Sequence, residues 1–259
     1  MPKKTAAPKK SAAPKKAAAP KRPAAEKEPK DAAVGGFQGF ADAKMKFFHA
    51  LAKHQDREWF AAHKPEFEEG WNAPMKALLA EVRDRIDDAY PDCDLPEPKV
   101  FRLNRDVRFS ADKSPYKTNV SGLLSARTRG NAMEVPAALY VQLGVESFGA
   151  AGQYMMDGPT LARYRAAVQD EETGEEVAKL VKALEKKGFK TDAMDTLKTA
   201  PRGVAPDHPR IELLKKKGLV VMFPPLPTEI VSTRAFADWV VTQAKAAAPL
   251  VRWLVYNTA

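Results

Sequence analysis

Cysteine is almost absent from this chain of 259 residues, which contains Cys93 alone. A single thiol excludes an internal disulfide and a zinc site built from cysteines, and it fits a reducing compartment. No run of about 18 apolar residues occurs, so we expect no membrane span. The basic N-terminus also lacks the apolar segment of a secretory signal. These absences predict a cytoplasmic protein without a membrane partner.

The familiar motifs of metal, nucleotide and serine enzymes are missing as well. The histidines are His49, His54, His63 and His208, and none belongs to an HxH or HExxH pattern, so a metal site is not expected. No GxSxG, P-loop or GxGxxG fingerprint occurs, which argues against enzymes of those types. We therefore expect neither a metal nor a cofactor.

The net positive charge comes almost entirely from one end of the chain. The formal net charge is +9, and residues 1–30 hold nine lysines and one arginine against two glutamates, a net of +8. This segment repeats the units KKTAAP, KKSAAP and KKAAAP. Proline in each unit blocks a continuous helix, and alanine alone cannot form a core. Residues 1–36 are therefore predicted to be a disordered tail.

The tail resembles the lysine-alanine-proline tails of linker histones and of bacterial histone-like proteins. Closely spaced lysines neutralise phosphates and release counterions, which predicts non-specific binding to DNA or RNA and association with the nucleoid. No aromatic residue lies between the lysines, so base stacking by the tail is not expected. The alternative is a tail that only keeps the protein soluble. The predicted nucleic-acid-binding residues are Lys3, Lys4, Lys9, Lys10, Lys15, Lys16, Lys21 and Arg22.

Residues 37–259 are predicted to form a single α+β domain. Apolar residues at helical spacing predict helices over 40–53, from Asp56 onward and over 233–256. Strands are predicted over 118–127, 137–145 and 148–156. Because these strands follow one another with short connections, we expect a mostly antiparallel sheet flanked by helices.

The motif segment, residues 100–120 with the sequence VFRLNRDVRFSADKSPYKTNV, concentrates most of the chemistry. Its alternation predicts a half-buried strand over 100–109. One face of that strand is apolar from Phe101 to Phe109, apart from Arg105. A charge directed into a core needs a partner or a ligand. Arg105 is therefore either part of a structural ion pair or part of a binding site.

The sequence RDVRFSADKSPYK, preceded by REWF-x-x-HK and followed by APRG-x-x-x-DHP, resembles a bacterial and fungal family of conserved hypothetical proteins. That family is known as domain of unknown function two-four-six-one. The resemblance runs from about residue 40 to the C-terminus. It implies an intact α+β domain and supplies no known reaction.

The motif segment and the downstream segment, residues 200–210, carry the candidate ligand site. Guanidinium groups form paired hydrogen bonds to phosphate and carboxylate, and binding residues favour loops on a rigid scaffold. We expect the two segments to meet at one pocket mouth that takes a small anionic ligand. The alternative is that the aspartates only neutralise the cations on a solvated edge. The predicted ligand-binding residues are Arg102, Arg105, Asp106, Arg108, Asp112, Lys113, Tyr116, Lys117, Arg202 and His208.

Catalytic groups are harder to assign, and the candidates are His208, Asp106 and Tyr116. His208 is either a general acid or base or a histidine that holds its loop by hydrogen bonds. Three functions stay open on the sequence. They are a domain that binds a small anion, a hydrolase or transferase acting on a phosphorylated or nucleic-acid substrate, and a structural or interaction module whose motif is an internal ion-pair network.

The tail generates a first prediction, motivated by a net charge of +8 within thirty residues. If roughly six lysines contact phosphates, affinity for nucleic acid falls about a thousandfold between about 50 and 200 mM salt. Filter binding of the full chain and of a chain starting near residue 35 measures the tail's contribution. Equal affinity of the two chains would show that the tail does not bind.

Overall fold

The structure is a computed structural model that describes residues 36–130 and 137–259. From Gly35 onward the chain forms one compact unit. The predicted disordered tail, except for Gly36, lies outside the described residues. The helices are α1 (Lys46–Lys53), α2 (Arg57–Phe67), α3 (Ala73–Ile86), α4 (Gly158–Gln169), α5 (Glu171–Lys186), α6 (Ile211–Leu214) and α7 (Ala235–Thr258), and the strands are β1 (Cys93–Asp94), β2 (Lys99–Val100), β3 (Asn119–Thr128), β4 (Ala137–Gly144), β5 (Phe148–Gln153), β6 (Lys190–Asp192) and β7 (Leu219–Met222).

The strands of the described residues form one seven-stranded sheet. Its order is β1-β3-β4-β5-β7-β6, and β2 also pairs with β3. Every ladder is antiparallel. The predicted α+β class with an antiparallel sheet flanked by helices is therefore confirmed. The predicted hairpin over 137–156 corresponds to β4 and β5, which a short connection joins.

One face of the sheet, which we call the core face, carries the helices. Leu79 of α3 lies over Gly122 of β3, and Thr258 of α7 hydrogen-bonds Gln153 of β5 at 3.1 Å. The ladders put these two positions on the same side of the sheet. Helices α4 and α5 pack against α7 and form a second helical layer. The buried core-face residues include Val120, Leu124, Leu139, Val141 and Leu143.

An aromatic cluster fastens the first described residues to the helical layer. Phe40 stacks on Trp71 at 5.7 Å and meets Phe236 of α7 edge-on at 6.0 Å. Trp71 is fully buried and also contacts Phe48 at 4.8 Å. Burying such large rings contributes strongly to stability. The cluster therefore joins α1, the α2–α3 region and α7 into one core.

Local signals explain where the first helices begin. Helix α1 starts at Lys46 rather than near residue 40, because Met45 takes a left-handed φ of 54° and Asp42 accepts a hydrogen bond from the Lys46 N–H. The predicted cap of the next helix is confirmed, since the Asp56 carboxylate accepts from the Trp59 N–H at 2.7 Å. A π-helical turn, Glu68–Asn72, joins α2 to α3 without a break.

The predicted strand over 100–109 is wrong beyond Val100. The Phe101 N–H still bonds Ser121, but the chain then turns away from the sheet and pairs with itself. Arg105 N–H donates to the Pro115 carbonyl at 2.9 Å and Lys117 N–H donates to the Leu103 carbonyl at 2.8 Å. Proline has no N–H for a regular ladder. Bends interrupt the segment, and Asn104 and Tyr116 form an isolated bridge.

In the described part of the chain, no helix is both long and apolar enough to cross a membrane.

The close approach of β5 and β7 generates a second prediction. Gly152 has a φ of +132°, and a Cβ there would lie 2.2 Å from the Leu219 carbonyl oxygen. Gly152→Ala is therefore expected to destabilise the fold by about 1–3 kcal/mol or more, as measured by urea unfolding. Gly158→Ala is the matched control, because nothing lies within 4 Å of its position. Equal stability of the two variants would contradict this assignment.

Candidate functional site

The motif segment folds against the end of α1 and the start of α2. The Tyr116 ring packs on Phe60 of α2 with centroids 4.5 Å apart. The Tyr116 N–H donates to the Gln55 side-chain oxygen at 3.1 Å. These contacts fix the segment relative to the helices. An open pocket of about 310 Å³ lies between them. The residues that line the pocket are Ala52, Gln55, Arg105, Asp112, Ser114, Tyr116, Lys117, Thr118 and Asn119.

Arg105 forms an ion pair with Asp112 at the pocket wall. The Ser114 hydroxyl donates to the Asp112 carboxylate at 2.6 Å and the Ser114 N–H donates to it at 2.9 Å. The two bonds from Ser114, followed by the guanidinium of Arg105, lower the pKa of Asp112 to about 2. The pocket therefore holds a carboxylate that is ionised throughout the neutral range and already balanced.

The expectation that Arg105 points into the core is wrong. Its side chain is 29% exposed and that of Asp112 is 55% exposed. The alternation of the segment continues as far as Val107, which is partly buried, and is lost at Phe109, which is 96% exposed. Because partly exposed ion pairs contribute about 0–1 kcal/mol, loss of Arg105 is expected to affect stability much less than loss of a buried charge.

Lys117 is the second cation of the pocket, and its surroundings differ from those of Arg105. Burial, followed by the nearby positive charge of Arg102, lowers the pKa of the Lys117 ammonium. That ammonium lies 5.2 Å from the centre of the Phe101 ring. Within the described residues, neither Lys117 nor Arg102 forms an ion pair with a carboxylate. Two cations thus lie close together without an acidic partner.

Asn119 adds an unusual polar atom to the pocket wall. Its side-chain oxygen is buried and has no hydrogen-bond partner in the described part of the chain. Buried polar atoms are normally satisfied. Gln55, Thr118 and Asn119 were not predicted from the sequence. Gln55 lies 61 residues from its partner Tyr116. A local sequence pattern cannot predict a contact between residues so far apart in the chain.

Arg102 does not line the pocket, and three further predicted residues of the motif segment also lie outside it. Arg108 pairs with Asp106 at 2.6 Å, and both are exposed. Their pairing lowers the pKa of Asp106 and raises that of Arg108. The Lys113 ammonium donates to the Val107 carbonyl at 2.9 Å. These charges are satisfied within the loop itself, as the ion-pair alternative expects.

The predicted meeting of the motif and downstream segments is wrong. The downstream segment leads through α6 into β7, whose residue Val220 aligns with Gly152, Ala138 and Ser125 across the sheet. The motif segment instead enters β3 at Asn119. Ser125 lies six positions further along β3 than Asn119, which is a distance of about 20 Å. The two segments therefore join opposite ends of the sheet, and Arg202 and His208 do not line the pocket.

His208 has a structural partner at that opposite end. Its Nδ1 accepts a hydrogen bond from the Arg210 N–H at 3.0 Å. The Arg210 guanidinium in turn donates to the carbonyls of Val168, Gln169 and Asp170 at the end of α4, where free carbonyls need donors. This arrangement matches the alternative in which His208 holds its loop. A catalytic role for His208 stays an untested prediction.

Two of the other histidines, His54 and His63, also have packing partners. His63 stacks on Trp59 at 3.9 Å, and its Nδ1 lies 2.8 Å from the Trp59 carbonyl oxygen. His54 stacks on the same indole at 5.5 Å. The described residues contain no group of three or more His, Cys, Asp or Glu side chains that could hold a metal ion.

Comparison with protein families identifies the chain. The family described as "Conserved hypothetical protein (DUF2461)" matches residues 43–253. The chain belongs to this family. Neither the curated proteins nor the solved structures give a match. The family match covers the whole motif segment, the pocket and the downstream segment, so the pocket belongs to the family domain.

The Asp112 carboxylate generates a third prediction. Ser114→Ala removes the first cause of its low pKa, so the pKa of Asp112 should rise from about 2 towards its ordinary value of about 3.9. Carboxyl-carbon NMR measures the pKa of Asp112 in the native protein and in the variant. Because the native pKa is depressed, Asp112 stabilises the fold above its unfolded pKa and loses this effect as the pH falls towards the native pKa. Asp106 is the control, and equal shifts of the two carboxylates would contradict the assignment.

Proposed function

We propose that this domain binds a small anionic ligand, bearing a phosphate or a carboxylate, in the pocket beside Lys117. The proposal rests above all on one observation, the half-buried ammonium of Lys117 that has Arg102 near it and no acidic partner in the described residues. A second charge of the same sign next to a desolvated ammonium is unfavourable. An anion in the pocket relieves both effects at once.

The geometry of the wall supports the same ligand class. The carboxylate of Asp112 is engaged by Arg105 and Ser114, so its negative charge is balanced rather than directed against an incoming anion. Tyr116 and Thr118, whose side chains carry hydroxyl groups, line more of the wall. Such groups donate hydrogen bonds to phosphate oxygens. The volume of about 310 Å³ suits a small molecule.

The structural alternative explains only part of the motif. An internal ion-pair network accounts for Arg105 with Asp112 and for Arg108 with Asp106. It does not account for Lys117, which lines the pocket, or for the charge of Arg102 near it. We infer that the paired charges shape the loop, while the unpaired cations meet the ligand. This division of roles makes Asp112 and Ser114 positioning residues of the pocket.

We also infer that the basic tail adds non-specific affinity for nucleic acid. The observation behind this inference is the net charge of +8 in residues 1–30, beside a net charge of about +1 for the rest of the chain. Such a tail raises the local concentration of the domain near phosphate-rich polymers. Its role is separate from the pocket, because its residues lie outside the matched family region.

Titration with inorganic phosphate tests the pocket. Binding is followed by amide chemical shifts at Thr118 and Asn119, which line the pocket. Lys117→Gln is expected to weaken binding about tenfold or more, since hydrogen bonds to charged groups contribute about 1.5–3 kcal/mol. In the native protein, affinity should also fall as the pH rises through the lowered pKa of Lys117, because a neutral amine cannot pair with the anion.

Lys53→Gln is the matched control. It removes the same charge from an exposed position next to Ala52, which lines the pocket, but Lys53 itself does not. The proposal predicts an unchanged affinity for this variant. Equal responses of the two variants, or phosphate-induced shifts spread over the whole surface, would refute a pocket at Lys117.

A further inference from the structure

The second face of the sheet, which we call the outer face, carries apolar residues where polar ones are expected. It lies opposite the core face that α3 and α7 cover. The ladders align one row of side chains across six strands, since directly paired residues share a face. In sheet order, this row consists of Lys99, Leu123, Tyr140, Ala150, Met222 and Lys190.

Aromatic rings dominate the neighbouring part of the outer face. Phe101 lies 6.3 Å from Tyr140, and Tyr140 lies 5.6 Å from Phe148. All three rings are only partly buried. Beneath them, Ser121 and Gln142 are 3% and 8% exposed. The rings therefore cover the small polar residues and form the surface that meets solvent.

The polar groups beneath the rings are already satisfied. The Tyr140 hydroxyl donates to the Gln142 side-chain oxygen at 2.8 Å, and the Gln142 amide donates to the Glu146 carbonyl at 3.0 Å. Burial raises the pKa of the Tyr140 hydroxyl, so it stays protonated. What the outer face offers a partner is therefore ring surface rather than free hydrogen-bonding groups.

Lysines border this aromatic surface. The ammonium groups of Lys99 and Lys117 lie 5.5 and 5.2 Å from the centre of the Phe101 ring. Lys190 ends the same row at the other edge of the sheet, about 24 Å away at about 4.8 Å per strand. One carboxylate, Asp192, follows on β6, where it accepts from the Ala193 N–H at 2.8 Å. Lysines thus lie beside the Phe101 ring at one edge of the outer face and on β6 at the other.

This composition needs an explanation. The solvated face of an antiparallel sheet normally carries polar side chains, and exposed apolar patches rimmed by polar residues mark interaction sites. A second copy of the chain would need an apolar surface but would bring like charges together at the rim. An aromatic surface with lysines at the edges of the sheet instead fits a polymer of bases and phosphates.

We propose that the outer face binds a single strand of nucleic acid. Its bases stack on Phe101, Tyr140 and Phe148, and its phosphates pair with lysines at the two edges. Because the polar groups below the rings are used internally, the face contacts features that DNA and RNA share and does not distinguish their sugars. This surface is distinct from the pocket, although Lys117 borders both, and it supplies the stacking that the tail lacks.

Fluorescence anisotropy on the full chain tests the proposal with ~12-nucleotide oligo(dT) and oligo(U), a length within the roughly 4–16 nucleotides typical of such sites. High salt suppresses the contacts of the tail. Phe148→Ala is expected to weaken binding of both strands about tenfold, the loss of one stacked base. Tyr256→Ala is the matched control, because it removes an exposed aromatic ring from α7 in the helical layer. It should leave the affinity unchanged.

Lys99→Gln provides a second variant that should not disturb folding, since Lys99 is exposed at the sheet edge. It is expected to weaken binding of both strands and to reduce the slope of log affinity against log salt by about one. Because Lys99 does not line the pocket, phosphate binding at Lys117 should be unaffected. The proposal for the outer face and the proposal for the pocket are therefore tested independently.

Photo-crosslinking with a 5-iodouracil-substituted strand locates the contacts. Crosslinks to peptides containing Phe101, Tyr140 or Phe148 support the proposal. Crosslinks confined to residues 1–30, or wild-type affinity in both Phe148→Ala and Lys99→Gln, overturn it. A dimer in sedimentation that Phe148→Ala converts to a monomer would also overturn it, because a second copy would then cover the face. A preference for one of the two strands would overturn the absence of sugar discrimination.

Discussion

Packing of α3 and α7 on a single face of the sheet is the constraint on which the rest of the structure depends. Each central strand must direct its large aliphatic side chains to that face, and glycine is required where a helix comes closest, as at Gly122 beneath Leu79. The helices of the second layer then pack on α7 rather than on strands. As a consequence, helices cover one face of the sheet, and the opposite outer face carries the rings of Phe101, Tyr140 and Phe148.

The same constraint explains the form of the motif segment. Before β3 begins at Asn119, the chain lies away from the sheet and packs beside α1 and α2. It gains stability by pairing Leu103 with Lys117 through the backbone and by stacking Tyr116 on Phe60. Its charged side chains therefore lie at the margin of the core, half in solvent. At this margin, burial lowers the pKa of Lys117. It is too shallow to require a carboxylate partner for the ammonium.

Two kinds of positive charge consequently occur in this protein, and they suit different tasks. The charges of the tail are numerous, close together and unaccompanied by aromatic residues, which favours electrostatic attraction without orientation. In the domain, by contrast, some cations are held against rings, as Lys117 is held against Phe101. Held cations favour recognition of a ligand at a defined position, because less freedom is lost on binding.

The sequence by itself determined the α+β class, the cap at Asp56, the β4–β5 hairpin and the separation of the basic tail from a nearly neutral domain. These depend on local periodicity, capping and composition, which short-range physics decides. It also indicated that the motif segment holds a concentrated set of charges. What periodicity identifies is which neighbouring residues share a face.

Only the tertiary structure decided how those faces are used. Alternation placed Arg105 among apolar residues, but a turn away from β3 brought it to Asp112 at the surface instead. Composition made the motif and downstream segments look like halves of one site, yet the strand order sends them to opposite ends of the sheet. The aromatic outer face depends on the alignment of β2, β3, β4 and β5, and Gln55 reaches the pocket from 61 residues away. Strand order and long-range register result from packing of the whole chain, so no local pattern contains them.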